Sequence, residues 1–430
     1  MRRNRSKPQA AKPEMAAGNG LLDRRLFLQG GGAVAAALGG FAIPESATAA
    51  GLPIEPWMTA LGPDPLLYDR PSRFEKDVVR GDWASRTGFP GVGSLRTPHH
   101  LLTGTITPNG LFFTRCHTGI PDIDPDKHRL LIHGLVKRPL IFSMETLARY
   151  PMESRIYFLE CGGNGELLYD DKPAPVGVRR LAGQVGSAEW TGVKLSILMD
   201  EAGLDPKAKW VSAEGADAVG MTRSIPLSKI MDDAFIALYQ NGERLMPSNG
   251  YPMRLFLPGF EGNMQVKYLR RLRVSEMPTM SRDETSKYTM TRPDGKSSQF
   301  NFQMEAKSII TQPSPDLAMK GPGFYEISGL AWSAYGKVAK VDVSADGGKS
   351  WAPAALQAPV LSLALTRFRL PWQWDGRPVV LQSRVTDDTG YVQPTREQMI
   401  ANRGRWANYH ANGIISWGIN EKGEIKHVYA

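Results

Sequence analysis

The sequence predicts an α+β domain followed by an immunoglobulin-like β-sandwich, and three observations carry that reading. Helical and strand-like runs mix without a regular order through residues 111–307, as in an α+β unit. After about residue 308 the pattern changes to strand-length runs separated by turns such as Asp346-Gly347-Gly348 and Asp387-Asp388-Thr389-Gly390. In Val338-Ala339-Lys340-Val341-Asp342-Val343 the residues alternate as on a half-buried strand, which favours a sandwich.

Ahead of both domains, residues 1–49 read as a leader outside the fold. Asp23-Arg24-Arg25-Leu26-Phe27-Leu28 is followed by a small, apolar run from 30 to 43 and then by Ala47-Thr48-Ala49, a small-residue cleavage site. Paired arginines before a short apolar run define a twin-arginine signal peptide. The run is too short for a permanent membrane helix, and no later segment is long and apolar enough. The expectation is an exported, periplasmic protein without a stable membrane anchor. Residues 50–110, rich in Pro, Gly and Arg, read as an irregular N-terminal arm around the core.

Regular structure is expected to start at Leu111-Phe112-Phe113-Thr114-Arg115-Cys116-His117. A strand over 128–136 follows, then a short helix over 143–150, capped by Ser143 and stopped by Pro151. The β-branched and aromatic run 155–160 reads as a buried strand ending at Cys161. Residues 193–202 read as helical, closed by Gly203. Strands are expected over 210–213, over 234–239 with a turn at Asn241-Gly242, and over 253–257 and 266–274. The sandwich over 308–395 takes strands at 325–332, 338–344, 368–371 and 379–385. Residues 396–430 form an aromatic, glycine-rich tail holding Arg403, Trp406, Tyr409 and Trp417.

Composition narrows the partners. Seven Lys/Arg and three Asp/Glu fall in residues 1–49, so losing this stretch takes the formal net charge from +9 to +5. That mild basicity suits anionic substrates or an acidic partner and is too small to imply nucleic acid. Cys116 and Cys161 are the only cysteines, so neither a four-cysteine metal site nor an iron–sulfur cluster can form, and no Cys-x-x-Cys-His haem motif occurs. In an exported protein the two could instead form a disulfide.

The chemistry centres on Glu160-Cys161-Gly162-Gly163-Asn164-Gly165, where glycines turn the chain as the thiol emerges from the strand. A thiolate there is a soft ligand for a transition metal, and the glycines let a bulky cofactor approach the backbone. The competing reading is a buried structural cysteine. This turn follows Phe112-Phe113-Thr114-Arg115-Cys116-His117 and precedes Ser224-Ile225-Pro226-Leu227, Gly250-Tyr251-Pro252-Met253-Arg254 and Val266-Lys267-Tyr268-Leu269. In that order the motifs resemble the sulfite oxidase family of molybdopterin enzymes, and Trp332 with Asp346-Gly347-Gly348-Lys349-Ser350-Trp351 resembles that family's C-terminal dimerisation domain.

The resemblance implies a molybdenum–molybdopterin cofactor with Cys161 as the protein's metal ligand. It assigns Arg115 to the anionic substrate, Tyr288 to a hydrogen bond with a substrate oxygen, and Arg403, on a tail returning to the active site, to the substrate pocket. His117, Asp217, Asn249, Arg254 and Lys267 match cofactor-holding positions, Asn249 where relatives commonly have histidine. Gly165 and Glu166 stand where sulfite oxidases commonly have two arginines. The expectation is that Arg179 or Arg180 supplies the displaced positive charge. Together with the export leader, the resemblance implies oxidation of sulfane sulfur bound to a carrier protein, within thiosulfate oxidation. Electrons would pass to a c-type, dihaem cytochrome subunit, and the chain would form a homodimer within a heterotetramer. The alternatives are a dehydrogenase of free sulfite, a reductase of oxidised methionine, disfavoured by residues 308–430, and a non-catalytic immunoglobulin-like binding protein.

Overall fold

The computed structural model describes residues 16–22, 55–59, 68–81 and 91–430. Arg24, Arg25, the apolar run 30–43 and Ala47-Thr48-Ala49 lie outside the described residues. In the first domain, β1 (Gly93–Leu95) pairs antiparallel with β2 (Thr114–Cys116). β3 (Arg129–Gly134) and β4 (Leu140–Ser143) lead to a helical turn, Met144–Leu147, in which Thr146 N donates to the capping Ser143 hydroxyl. β5 (Met152–Glu160) pairs antiparallel with β6 (Val185–Lys194) from Met152↔Val193 to Glu160↔Val185. Next come β7 (Trp210–Gly215), β8 (Thr222–Pro226), β9 (Phe235–Gln240), β10 (Glu243–Arg244), β11 (Arg254–Phe256) and β12 (Leu269–Ser275).

These strands build two sheets. One runs β10-β9-β6-β5, with β11 also on β9, and the other runs β4-β3-β12-β7-β8 with a parallel β3–β12 pair. The helix Leu195–Ala202 follows β6 directly, so the expected helix at 193–202 starts two residues later, after the strand. β6 itself was not among the expected strands. Its glycine- and serine-containing run gives little strand signal, and pairing on both sides, with β5 and β9, is what holds it extended. Trp190, on β6, packs 4.7 Å from Phe256 and edge-on to Phe112 at 5.6 Å, forming an aromatic wedge behind the Cys161 strand. Burying each such ring contributes roughly 1.5–3 kcal/mol.

A small hairpin, β13 (Met290–Thr291) with β14 (Ser297–Ser298), leads into the second domain. There β15 (Lys307–Gln312), β16 (Gly323–Trp332), β17 (Val338–Ser344), β18 (Ala352–Pro353), β19 (Ala355–Leu356), β20 (Thr366–Trp374) and β21 (Val379–Asp387) are followed by the helix Arg396–Arg403, β22 (Ser416–Ile419) and β23 (Ile425–Val428). They form two antiparallel sheets, β15-β16-β20-β19 and β18-β17-β21-β22-β23, the two layers of a sandwich. Trp332, Trp372, Trp374 and Trp417 are buried in its core, which continues into Phe158, Leu168, Val178 and Leu181 of the first domain.

The chain departs from its expected boundaries in three places. Regular pairing begins at Gly93, inside the expected irregular arm, because β2 needs a partner. The expected tail divides: its first part crosses to the first domain, while β22 and β23 complete the sandwich sheet. Residues 16–22, expected outside the fold, pack on the second domain, with Leu21 fully buried. Among the described residues no helix is long and apolar enough to cross a membrane.

Candidate active site

β5 delivers Cys161 at its C-terminal end, and the turn beyond it is held from both domains. Cys161 N donates to Gln184 O at 2.9 Å and Asn164 N to Cys161 O at 2.9 Å. Gly165 lies at φ +87°, where a side chain would be strained and its Cβ would come within 2.8 Å of Lys307 Nζ. The Glu160 carboxylate accepts from Trp332 Nε1 at 2.6 Å, Asn164 Nδ2 at 2.8 Å and Lys307 Nζ at 3.3 Å. Glu160 and Lys307 are 0% and 1% exposed, so the charges compensate each other inside the interdomain core. From the tail, His410 N donates to Gly162 O at 2.8 Å.

Both cysteines are free thiols, so the Cys116–Cys161 disulfide alternative is not formed. Burial pushes the Cys161 thiol up, while the Gly163 N–H and the Arg115 guanidinium act in the opposite direction. The thiol lies where two cavities meet. The inner one, of about 650 Å³, is lined by Arg115, His117, Asp217, Asn249, Arg254 and Lys267 among others. Of these, His117, Asp217, Asn249, Arg254 and Lys267 are the positions that the family resemblance assigned to the cofactor, and Arg115 is the one it assigned to the substrate.

Their chemistry suits a large polar, phosphorylated guest. Arg254 binds Asn249 O at 2.8 Å and Gln265 O at 3.0 Å. Burial pulls its guanidinium down to about 10, which leaves it charged at neutral pH. Lys267, also drawn down by burial, donates to Arg115 O at 3.2 Å and Ser248 O at 3.1 Å. Arg254 Nε, Asn263 Nδ2 and Gln265 Oε1 are buried without a hydrogen-bond partner on residues that line this cavity. Such orphaned donors and acceptors are what an absent polar ligand leaves behind. Among the described residues no group of three or more His, Cys, Asp or Glu converges on one point. A metal held by Cys161 would need ligands beyond these side chains, and the charged, hydrogen-bonding lining suits a polar organic cofactor.

The outer cavity, of about 1150 Å³, shares Arg115, His117, Cys161 and Tyr288 and adds Glu166, Asp170, Arg180, Lys287, Asn408 and Tyr409. Tyr288 Oη lies 3.1 Å from His117 Nε2. Burial drives the phenol far up, so it keeps its proton and shares a hydrogen bond with the imidazole, whose Nε2 can donate to the phenol oxygen. Tyr288 at φ +52°, Asn408 at +61° and His410 at +55° all occupy the left-handed region, backbone strain concentrated at one site. Beneath Tyr288, Arg223 sits 5.0 Å from its ring centre, between Glu261 and Glu284, and His410 Nε2 meets Glu261 at 3.1 Å.

Two site expectations are corrected. Arg403 lines neither cavity, because its guanidinium is ion-paired with Glu305. Arg180 does face the outer cavity, yet its charge is not freely displaced there: Glu166 pairs with it at 3.1 Å. Lys287, Asn408, Tyr409, Lys307 and the Arg223 cluster were missed. Lys287 had a usable signal, its place beside Tyr288; the others come together only through the tail and the domain interface.

His117 is held down to about 3, first by burial and then by Arg115, Lys287, Lys267 and Arg282. The unfolded imidazole takes its proton near 6.5, so between about pH 6.5 and about 3 the unfolded state binds more protons and stability falls as pH falls. Denaturant unfolding of the apoprotein at about pH 7 and about pH 4.5 should show a larger acid loss in wild type than in His117→Gln. Equal losses would mean that the imidazole is not held neutral.

Residues 117–282 match the family model described as the oxidoreductase molybdopterin binding domain, and 298–416 the Mo-co oxidoreductase dimerisation domain. Mitochondrial sulfite oxidase of Mus musculus is 32% identical over 337 residues, spanning 72% of this chain and 62% of that protein. Sulfite oxidase of Gallus gallus is 31% identical over 314 residues, spanning 67% and 68%. This chain thus spans less than two thirds of the length of the mitochondrial relative. The crystal structure of the sulfane dehydrogenase SoxCD from Paracoccus pantotrophus is similar with a TM-score of 0.86, at 44% identity over 88% of this chain and 100% of that one.

Proposed function

The chain belongs to the sulfite oxidase family of molybdopterin oxidoreductases, and from that premise we propose that it oxidises sulfane sulfur bound to a carrier protein and passes the electrons to a c-type cytochrome. The observation that carries this reading is the place of the Cys161 thiol, at the junction of a cofactor-shaped inner cavity and a charged outer one. Bound there with Cys161 as its protein ligand, molybdenum–molybdopterin supplies two-electron oxidation of sulfur. Lys267 and Arg254 would hold its phosphate by charge-assisted hydrogen bonds, and Asp217 and Asn249 would accept from the pterin's N–H groups. Neutral His117 serves as a hydrogen-bond partner rather than a cation.

The outer cavity handles the substrate. Arg115, whose Nη1 is held by Gly93 O and Cys116 O, presents its remaining guanidinium N–H groups to an anionic sulfur group. The Tyr288 hydroxyl, oriented by His117, donates to a substrate oxygen. Tyr409 forms one wall of this cavity beside Tyr288, and an aromatic wall strengthens the electrostatic contacts made against it. Preference for carrier-bound sulfur over free sulfite is supported by charge balance: Arg115, Arg180 and Lys287 share the cavity lining with Glu166 and Asp170, and Arg180 is paired with Glu166. A compact dianion gains little from that balance, while a sulfur atom on a peptide arm brings less charge and needs the width. The reading includes periplasmic location after twin-arginine export and a homodimer bearing dihaem cytochrome subunits in a heterotetramer. The match of 298–416 to a dimerisation domain supports the homodimer.

Molybdenum quantification together with cytochrome c reduction by each donor tests the proposal. A molybdenum-loaded protein should turn over carrier-bound sulfane with a kcat/KM at least about tenfold above that for sulfite, a preference worth about 1.4 kcal/mol. The reverse preference would make it a sulfite dehydrogenase. Arg180→Ala, which removes the cation 3.1 Å from Glu166, should raise KM more than it lowers kcat; unchanged constants would remove Arg180 from substrate binding.

A further inference from the structure

Residues 16–22, Ala-Ala-Gly-Asn-Gly-Leu-Leu, fall inside the expected leader, yet they form a specific contact with the second domain. β16 pairs along the whole of one side of β20, whereas β19 covers the other side only at Phe368 and Arg369. The N-terminal segment takes the remaining edge. Leu22 N donates to Pro371 O at 3.1 Å, Gln373 N donates to Gly20 O at 2.9 Å, and Leu21 faces Trp372 in an antiparallel bridge. Around this short ladder, Trp372 Nε1 donates to Asn19 O at 2.7 Å, Asn19 Nδ2 to Ala345 O at 2.8 Å, and Gly18 N to Ser350 Oγ at 3.0 Å.

The fit is selective for this sequence. Leu21 is 0% exposed and joins the core of the sandwich. Gly20 lies at φ +85°, and a Cβ there would be 1.9 Å from Gln373 O, so a side chain at this position breaks the contact. Main-chain bonds to an open strand edge combined with a pocket for one apolar side chain are the elements of peptide recognition by strand addition.

We propose that the edge of β20 at Pro371–Gln373, with the pocket at Trp372 and the Ala345–Ser350 loop, is a peptide-docking site occupied in cis by residues 16–22, which hold the export leader on the folded second domain until it is removed. The proposal rests on the reading of residues 1–49 as a leader. Its two halves, β20 and the loop after β17, come together only when the sandwich closes. A chain with an unfolded second domain therefore has no site on which to dock the segment that leads directly into Asp23-Arg24-Arg25.

Hydrogen–deuterium exchange of the full-length, cofactor-loaded precursor tests the docking. The Leu22 and Gln373 amides should exchange slowly in wild type and in Leu21→Met. They should exchange at least about tenfold faster in Leu21→Asp and Gly20→Val, with β21 amides unchanged in all four. Equal exchange at Gln373 in wild type and both disruptive variants overturns the docking. N-terminal sequencing of periplasmic protein reads the leader assignment separately. A start after residue 49 supports release of the segment; a start before residue 16 overturns that half of the proposal, leaving residues 16–22 as a permanent strand of the sandwich.

Discussion

Replacing Cys161 with serine should leave a folded protein whose sulfur oxidation falls by on the order of 10³-fold, the scale on which loss of a preorganised electrostatic contact at the reacting centre operates. The turn is held by backbone bonds from Gln184 and His410 and by the Glu160 carboxylate, none of which involves the Cys161 side chain. Serine keeps the shape and replaces a soft thiolate with a hard hydroxyl, which changes the metal's ligand field while Arg254 and Lys267 still grip the cofactor. Circular dichroism, molybdenum content and turnover should therefore separate: the first unchanged, the second partly retained, the third nearly lost. Near wild-type turnover would show that the thiol is not the metal's ligand.

Lys307→Met should destabilise the protein by about 3–5 kcal/mol, the usual cost of stripping one partner from a buried ion pair. It leaves the Glu160 carboxylate fully buried with only Trp332 Nε1 and Asn164 Nδ2 as donors, and it removes the bond from Lys307 Nζ to Asn164 O. The double variant Glu160→Gln/Lys307→Met should recover part of that loss because no charge is left uncompensated. Since Glu160 precedes Cys161 and Asn164 closes its turn, the single variant should also let iodoacetamide alkylate Cys161 of the apoprotein faster. Unchanged denaturation midpoints and alkylation rates would reduce the cluster to a passive contact.

Much of the inner cavity was legible through the resemblance of the ordered motifs to a known family. His117, Cys161, Asp217, Asn249, Arg254 and Lys267 sit in local motifs whose turns and strands fix where each side chain starts, and the folded chain gathers all six around one space. Arg403 shows where that reasoning stops. It lies in the last turn of the helix Arg396–Arg403, and a carboxylate from residue 305 captures it before it can reach the cavity. Arg180 lines the outer cavity, but it is paired with Glu166, fourteen residues away in the chain, a contact that neither residue's neighbours announce. The segment 16–22 reads as leader by composition, and only the open edge of β20 gives it a seat.

The amino-acid order alone pointed to the two-domain plan and to a thiol on a glycine turn, because glycine turns and β-branched runs act over a few residues, while the cofactor followed from the resemblance of the ordered motifs to a known family. Folding in three dimensions settled which charges remain available. Ion pairs such as Arg403–Glu305 and Lys307–Glu160 join residues far apart in the chain, and the strength of each depends on burial and on a distance of a few ångströms that no local pattern encodes.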